Sequence, residues 1–410
     1  MNRWLSVAGG LLMNLSLGSL YGWSLFVPAL QAEMALTREQ ASNIFSLAIA
    51  VFAVTFLAGG RLQDKKGPYI VSLIGSGLLG AGYLLSSRAA SLGEMYASFG
   101  LVVGAGCGFG YVTPIGVASK WFPDRRGLVI GLMVAGFGAG SAILGPLVPG
   151  LIAAHGWRSV MLGLAAVYLA STLAGAQFLK NPPAGWKPDG WSPAAQAAAA
   201  GRNFAPAEVV ATPQFWRMLA GYALGTSAGL MVISQVLPFM RAAAPEIGGA
   251  LAGTALLVGA AGNASGRIFS GWMSDHFGRV RTLCLMVLVS AAVLPALGRV
   301  RSLALLWAAL LVVYYCFGTQ LSVYASLTAD FFGTRNVGAN YGLVFLAYGV
   351  AGIIGPKLGG RVFDQYQNYT LAFDIAAGLL VAAFALIATL QAPERRSQES
   401  EAGSQKAAVR

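Results

Sequence analysis

The sequence predicts an all-α membrane protein, with twelve transmembrane helices arranged as two pseudo-symmetric six-helix bundles. Three observations carry this. Apolar runs of about 20 residues, the length that crosses a bilayer, recur along the whole chain. Of the 410 residues 56% are hydrophobic and only 10% charged, against about 25% charged in a soluble domain. Short motifs also repeat at an offset of 210 or 211 residues. In lipid only helices and closed barrels satisfy the backbone, and these runs lack the alternation that barrel strands need.

Taken in order, spans are expected near 5–30, 43–60, 69–88, 94–118, 127–152 and 157–178, then 214–240, 249–272, 281–299, 303–328, 337–361 and 371–392. The first six form an N-terminal bundle (1–178) and the last six a C-terminal bundle (214–392). Between them, 179–213 opens Lys180-Asn181-Pro182-Pro183-Ala184-Gly185-Trp186 and continues into an Ala-rich polar stretch, the composition of a cytoplasmic linker. The tail 393–410 is polar and mixed in charge, so disorder is expected there. Met1-Asn2-Arg3 runs straight into the first span with no small-residue cleavage site, so no cleavable signal is expected. Cys107, Cys284 and Cys316 fall inside spans and are odd in number, which argues against disulfides.

Orientation follows from lysine and arginine. With the N-terminus inside, eighteen of them fall in cytoplasmic segments and seven in external ones, leaving Arg267 and Lys357 within spans. The net charge of +12 therefore belongs to short loops and does not point to nucleic acid. No G-x-x-x-x-G-K-[ST] loop is present, so the energy source is expected to be a gradient and not ATP. With His155 and His276 the only histidines, neither a metal site nor a cofactor is expected, nor an enzyme activity.

The repeat is specific. Gly60-x-x-x-Asp64-x-x-Gly67 after the second span matches Gly271-x-x-x-Asp275-x-x-Gly278 after the eighth. Trp121-Phe122 matches Phe331-Phe332, and Gly145-Pro146 matches Gly355-Pro356. Parallel repeats with a site between them are a transporter design.

Gly60-Arg61-Leu62-Gln63-Asp64-Lys65-Lys66-Gly67 resembles the cytoplasmic loop signature of the major facilitator superfamily, without its further basic residues, since Pro68-Tyr69 follow. That resemblance implies a gating role for the loop. Asp64 would cap or pair with neighbouring helix ends, and Lys65 and Lys66 would hold the loop inside. Three further features resemble the oxalate:formate antiporter family and its monocarboxylate-transporter relatives. These are Asn2-Arg3-Trp4 with Leu20-Tyr21-Gly22-Trp23-Ser24, the Asn181-Pro182-Pro183-Ala184-Gly185-Trp186 opening of the linker, and Asn263-x-x-x-Arg267 with Lys357.

Arg267 lies eight residues before Asp275, about 12 Å up the helix axis, and so near the bilayer midplane, where a charge is costly and needs a partner. Small neighbours, Gly262, Ala264, Ser265 and Gly266, suit a closely packed helix. A planar guanidinium matches a carboxylate. Asn263, four residues earlier, shares its face. In animal monocarboxylate transporters that position resembles an aspartate, so here the charge lacks an internal counter-ion and an obvious proton carrier is missing. Lys357 breaks the internal repeat, which has Leu147 at its place. The resemblance implies that Lys357 binds substrate, a lysine in low dielectric can also carry a proton, and the alternative is snorkelling to the outer surface beside Arg361. Tyr21, Tyr111, Tyr315 and Tyr348 are expected to wall the pocket, with Tyr314 turned elsewhere.

The expected function is alternating-access transport of a small organic anion, a monocarboxylate such as lactate or pyruvate, coupled to protons. The alternative is an oxalate/formate-type dicarboxylate–monocarboxylate exchanger, followed by a drug/proton antiporter and a non-transporting membrane sensor. A monomer in the bacterial inner membrane is expected, with both termini cytoplasmic.

Overall fold

The structure, a computed structural model, describes residues 2–183, 185–188, 203–243, 249–300 and 302–393. The Ala-rich middle of the expected linker and the expected disordered tail lie outside the described residues. Every regular element described is helical.

In the N-terminal half, α1 (Arg3–Leu17) starts on Asn2, whose side chain accepts from the Trp4 amide, and tightens into a 3-10 helix over Gly18–Leu25 before the short α2 (Val27–Met34). A capping box of Thr37 and Gln40 opens α3 (Arg38–Lys66). Gly67 takes φ 86°, open to glycine at little cost, and turns the chain sharply into α4 (Pro68–Ser86), where Pro68 supplies the first residue. The fourth span is built from α5 (Leu92–Met95), a widened π-helical stretch over Tyr96–Val103, and α6 (Gly104–Trp121). A helical run from Arg126 to Ala176 breaks at Gly156, φ 76°, into α7 (126–155) and α8 (157–176).

The C-terminal half comprises a short α9 (Pro206–Val210), then α10 (Pro213–Ala243), α11 (Gly249–Phe277), α12 (Arg279–Leu297), α13 (Leu303–Phe332), α14 (Val337–Tyr366) and α15 (Thr370–Ala388). Among the described residues, ten helical segments are long and apolar enough to cross a membrane. Dividing one of them at Gly156 and adding α11, which carries Arg267, makes twelve. We call the face at which α1 begins the near face and the opposite one the far face.

The halves meet along two seams, α3 with α14 and α7 with α11. Glycines bring the backbones together. A Cβ on Gly60 would lie 2.1 Å from the Gly338 carbonyl oxygen, and one on Gly271 would lie 2.3 Å from that of Gly127. The described ends of the linker dock at repeat-related places on the near face. Trp186 packs edge-on to Trp121, whose indole donates to the Lys180 carbonyl at 2.7 Å. Phe204 packs on Phe332 and donates its amide to the Phe332 carbonyl at 3.0 Å.

On the far face Glu33, near the end of α2, is tied to the start of α8. It accepts from the Trp157 indole at 2.5 Å and from Arg158 at 2.8 and 3.0 Å, while Arg158 also donates to the Ala89 carbonyl at 2.6 Å. The Trp157 and Arg158 hydrogen bonds hold the Glu33 carboxyl below its ordinary range. A lowered folded-state value means the clasp contributes fully above the ordinary carboxylate range and is lost as pH falls through the lowered value. Glu33→Gln is therefore expected to reduce stability by about 1 kcal/mol or less, the range for exposed pairs, and to flatten the melting temperature against pH below the ordinary glutamate value of about 4.3.

Candidate functional site

Arg267 is fully buried, with 0% of its surface exposed, ten residues up α11 from Phe277. It is positioned by close helix packing. A Cβ on Gly131 would lie 2.0 Å from the Arg267 carbonyl oxygen, and one on Gly138 would lie 3.1 Å from Asn263 Cγ. Glycine at these positions lets α7 press against α11, which brings the Val134 carbonyl into reach of the guanidinium. Nη1 donates to that carbonyl at 2.7 Å and to the Tyr111 hydroxyl at 3.0 Å, and Nε donates to Asn263 Oδ1 at 2.9 Å. The Arg267 carbon sits 5.7 Å from the centre of the Phe137 ring, within reach of a cation–π attraction.

Nη2 is buried without a hydrogen-bond partner. All the groups holding the guanidinium are neutral, and among the described residues no carboxylate pairs with it. Charged groups left unpaired inside a protein are strongly disfavoured. The site therefore presents an unneutralised cation with two unused N–H donors.

An aromatic shell surrounds it. Phe137 packs edge-on to both Tyr21 and Tyr111, each with ring centres 5.0 Å apart. Phe52 touches Tyr111, Phe137, Phe345 and Tyr348. Phe56 and Phe345 stack at 4.4 Å, one from each half. Tyr21 and Tyr348, 327 positions apart, share a hydrogen bond of 2.5 Å between their hydroxyls. In that pair one hydroxyl proton is used and one is left to donate, and Tyr111 accepts from Arg267 while keeping its own proton.

The structure brings Arg267, Asn263, Tyr111, Tyr21 and Tyr348 together, and places two other expected members, Lys357 and Tyr315, apart from them. Lys357 is exposed on the stripe of α14 that carries Val350, Ile353 and Ile354, 48%, 43% and 38% exposed. The reason is helical phase. Nine residues at about 100° each put Lys357 half a turn from the inward-facing Tyr348. Tyr315 is only half-buried, and its contribution to the α11 seam is its carbonyl, which a Cβ on Gly266 would meet at 2.1 Å. The neighbour set aside in the sequence reading, Tyr314, is the buried one, seated over Gly259 and Gly262 with an unpartnered hydroxyl. Phe137 and the Val134 carbonyl were not anticipated, because nothing in Gly136-Phe137-Gly138 distinguishes a site wall from packing. Lys357→Gln is accordingly expected to leave carboxylate affinity within about twofold of wild type, well under the tenfold of 1.4 kcal/mol, as measured by competition for uptake.

The repeated loop residues meet the opposite half on the near face. Asp64 accepts from the Ala339 amide at 2.9 Å, at the start of α14. Asp275 accepts from the Gly127 and Leu128 amides at 3.0 and 2.9 Å, at the start of α7. Each carboxylate satisfies the free N–H groups of a helix N-terminus across the seam. Around Asp275 the clasp is larger, since Arg279 pairs with Asp275 and, at 2.8 Å, with Asp330, which also pairs with Arg126. Gly278 takes φ 93° as Gly67 takes 86°, making the same sharp turn. Lys65 is exposed and stands clear of this contact.

Two seamed six-helix halves, with paired clasps on one face and a buried cation between them, form a recognisable architecture. Residues 11–296 and 242–410 match the family model described as Major Facilitator Superfamily. The chain belongs to that superfamily. It is therefore a multi-pass membrane transporter and not an enzyme. It is 28% identical over 404 residues to the oxalate:formate antiporter of Oxalobacter formigenes, covering 94% of this chain and 90% of that one. It is also 28% identical over 404 residues to human (Homo sapiens) monocarboxylate transporter 11, covering 92% and 80%. Its fold is similar to that of the superfamily transporter FucP in the outward conformation, with a TM-score of 0.71 at 16% identity, covering 94% of this chain and 97% of that one.

Proposed function

We propose that this transporter carries a small monocarboxylate, such as lactate or pyruvate, by alternating access, with the carboxylate held on Arg267. The observation that supports this is the unpartnered Nη2 of a fully buried arginine whose contacts are all neutral. A carboxylate placed there supplies the missing negative charge and accepts charge-assisted hydrogen bonds. The Tyr111 hydroxyl, and one of the Tyr21/Tyr348 pair, can donate to its oxygens. The aromatic rings exclude water and suit a short apolar remainder.

Charge count bears on the substrate class. With Lys357 turned outward, the site holds one cation, which matches one carboxylate better than two. Proton coupling is the proposal for what drives net uptake. Exchange of the oxalate/formate type is the second reading, favoured by the named activity of one relative. The near-face clasps would open and close as the halves rock, with that face and both termini cytoplasmic in a bacterial inner membrane, and the carrier acting as a monomer.

The test is uptake of labelled lactate into vesicles containing the purified carrier, with or without an inward proton gradient and with or without unlabelled anion inside. Saturable uptake that monocarboxylates inhibit more strongly than oxalate supports the proposal. Acceleration by the proton gradient identifies proton coupling, and dependence on internal anion identifies exchange. Preference for oxalate, or no carboxylate uptake under any condition, overturns it.

A further inference from the structure

Lys357 and Arg361 are both exposed, and neither has a hydrogen-bond or ion-pair partner among the described residues. We propose that together they bind the phosphate of an anionic phospholipid in the leaflet at the far face. This inference needs only that α14 crosses the membrane and stands independently of the carboxylate on Arg267.

Position comes first. Val350, Ile353 and Ile354 are exposed, and they are the apolar part of one stripe facing away from the other helices. On the opposite side of α14, Gly352 packs on α3, and Gly355 and Gly359 pack on α10. Lys357 lies within the exposed stripe, and Arg361 follows four residues later, about 40° round and one turn further out. Both side chains therefore face lipid and not the space between the halves.

Depth comes next. Tyr348 shares a hydroxyl contact with Tyr21 in the central cluster. Nine residues beyond it, Lys357 is about 13 Å nearer the far face, just inside the hydrocarbon boundary, which lies about 15 Å from the midplane. A lysine stem spans the remaining gap, with its methylenes in the hydrocarbon and its ammonium at the phosphate layer. Arg361, about 6 Å further along the axis, already lies in that layer. The two cations thus approach one phosphate from below and above.

There is also room. Gly360 has nothing within 4 Å of where a Cβ would stand, so the surface beside the two cations is open to a headgroup. A phosphodiester supplies two anionic oxygens, and the guanidinium and ammonium supply donors matched to them. A zwitterionic headgroup offers the same phosphate beside its own cation and gains less from two positive side chains.

The test uses the full-length carrier in lipid nanodiscs of phosphatidylcholine, with or without phosphatidylglycerol. Retained lipids are counted by native mass spectrometry, and the rise in melting temperature on adding phosphatidylglycerol is recorded. Wild type is expected to retain phosphatidylglycerol over phosphatidylcholine by about tenfold, given the attraction per basic residue near a charged surface. The Lys357→Gln/Arg361→Gln double variant is expected to lose most of that preference and of the melting rise, while melting in phosphatidylcholine alone stays unchanged. Wild type that retains the two lipids alike, or a double variant that keeps the wild-type preference, overturns the assignment.

Discussion

Arg267→Gln is expected to abolish monocarboxylate binding, by a hundredfold or more, in a protein that still folds. The size follows from the contact proposed. Losing a charge-assisted hydrogen bond costs roughly 1.5–3 kcal/mol, and here a paired charge in a low-dielectric site is lost with it, at about 1.4 kcal/mol per tenfold. Stability is expected to behave differently. The substitution removes a buried cation whose Nη2 has no partner, and that gain opposes the loss of the bonds to Tyr111 and Val134. The melting temperature without substrate should then change little, while the rise on adding carboxylate disappears. Arg267→Lys should fail almost as badly, because one ammonium cannot reproduce a fork that already reaches Asn263, Tyr111 and Val134. A variant that keeps wild-type affinity would remove Arg267 from the site.

The second large effect is expected at Gly271, one helical turn from Arg267 toward the near face. In Gly271→Ala the new Cβ meets the Gly127 carbonyl oxygen at 2.3 Å, well inside an ordinary contact of about 3.5 Å. Backbone must give way, so α7 and α11 should separate by about 1 Å at the near face. That separation stretches the bonds from the Gly127 and Leu128 amides to Asp275. Overpacking of this kind costs about 1–3 kcal/mol, borne by the state in which the near face is closed. The open population should rise by about fivefold to a hundredfold, seen as a longer distance between spin labels on the near-face ends of α7 and α11. Transport should slow at least about tenfold if closure limits turnover. Gly60→Ala, facing the Gly338 carbonyl at 2.1 Å, should act in the same way on the other seam. Unchanged label distances and transport would contradict the seam's role in closure.

The architecture was legible because its signals are long-range and redundant. Twenty-residue apolar runs and a motif repeated at a fixed offset leave few alternatives, and the structure gives the repeated residues matching work. Gly60 and Gly271 sit at crossings, Asp64 and Asp275 cap helices of the other half, and Gly67 and Gly278 turn with positive φ. Arg267 was legible for a related reason, since an arginine in an apolar helix is conspicuous anywhere.

What was not legible depended on phase and on neighbours. Lys357 was assigned to the site by resemblance, although its nine-residue spacing from Tyr348 already excludes a shared face in one helix. Of the adjacent pair Tyr314 and Tyr315, only contact with Gly259 and Gly262 of α11 decides which is buried. Phe137 could not be chosen from the sequence either, because its place beside Arg267 is set by glycines on both of its sides and on another helix.

The most direct test of the carboxylate on Arg267 compares an acid with its own amide. Purified wild-type carrier is melted with lactate and with lactamide, which share a size and a hydroxyl but differ in charge. Lactate is expected to raise the melting temperature saturably, as any ligand of the folded state must, and lactamide to leave it unchanged. Equal stabilisation by both, or stabilisation by lactamide alone, would contradict recognition of a negative charge at this site.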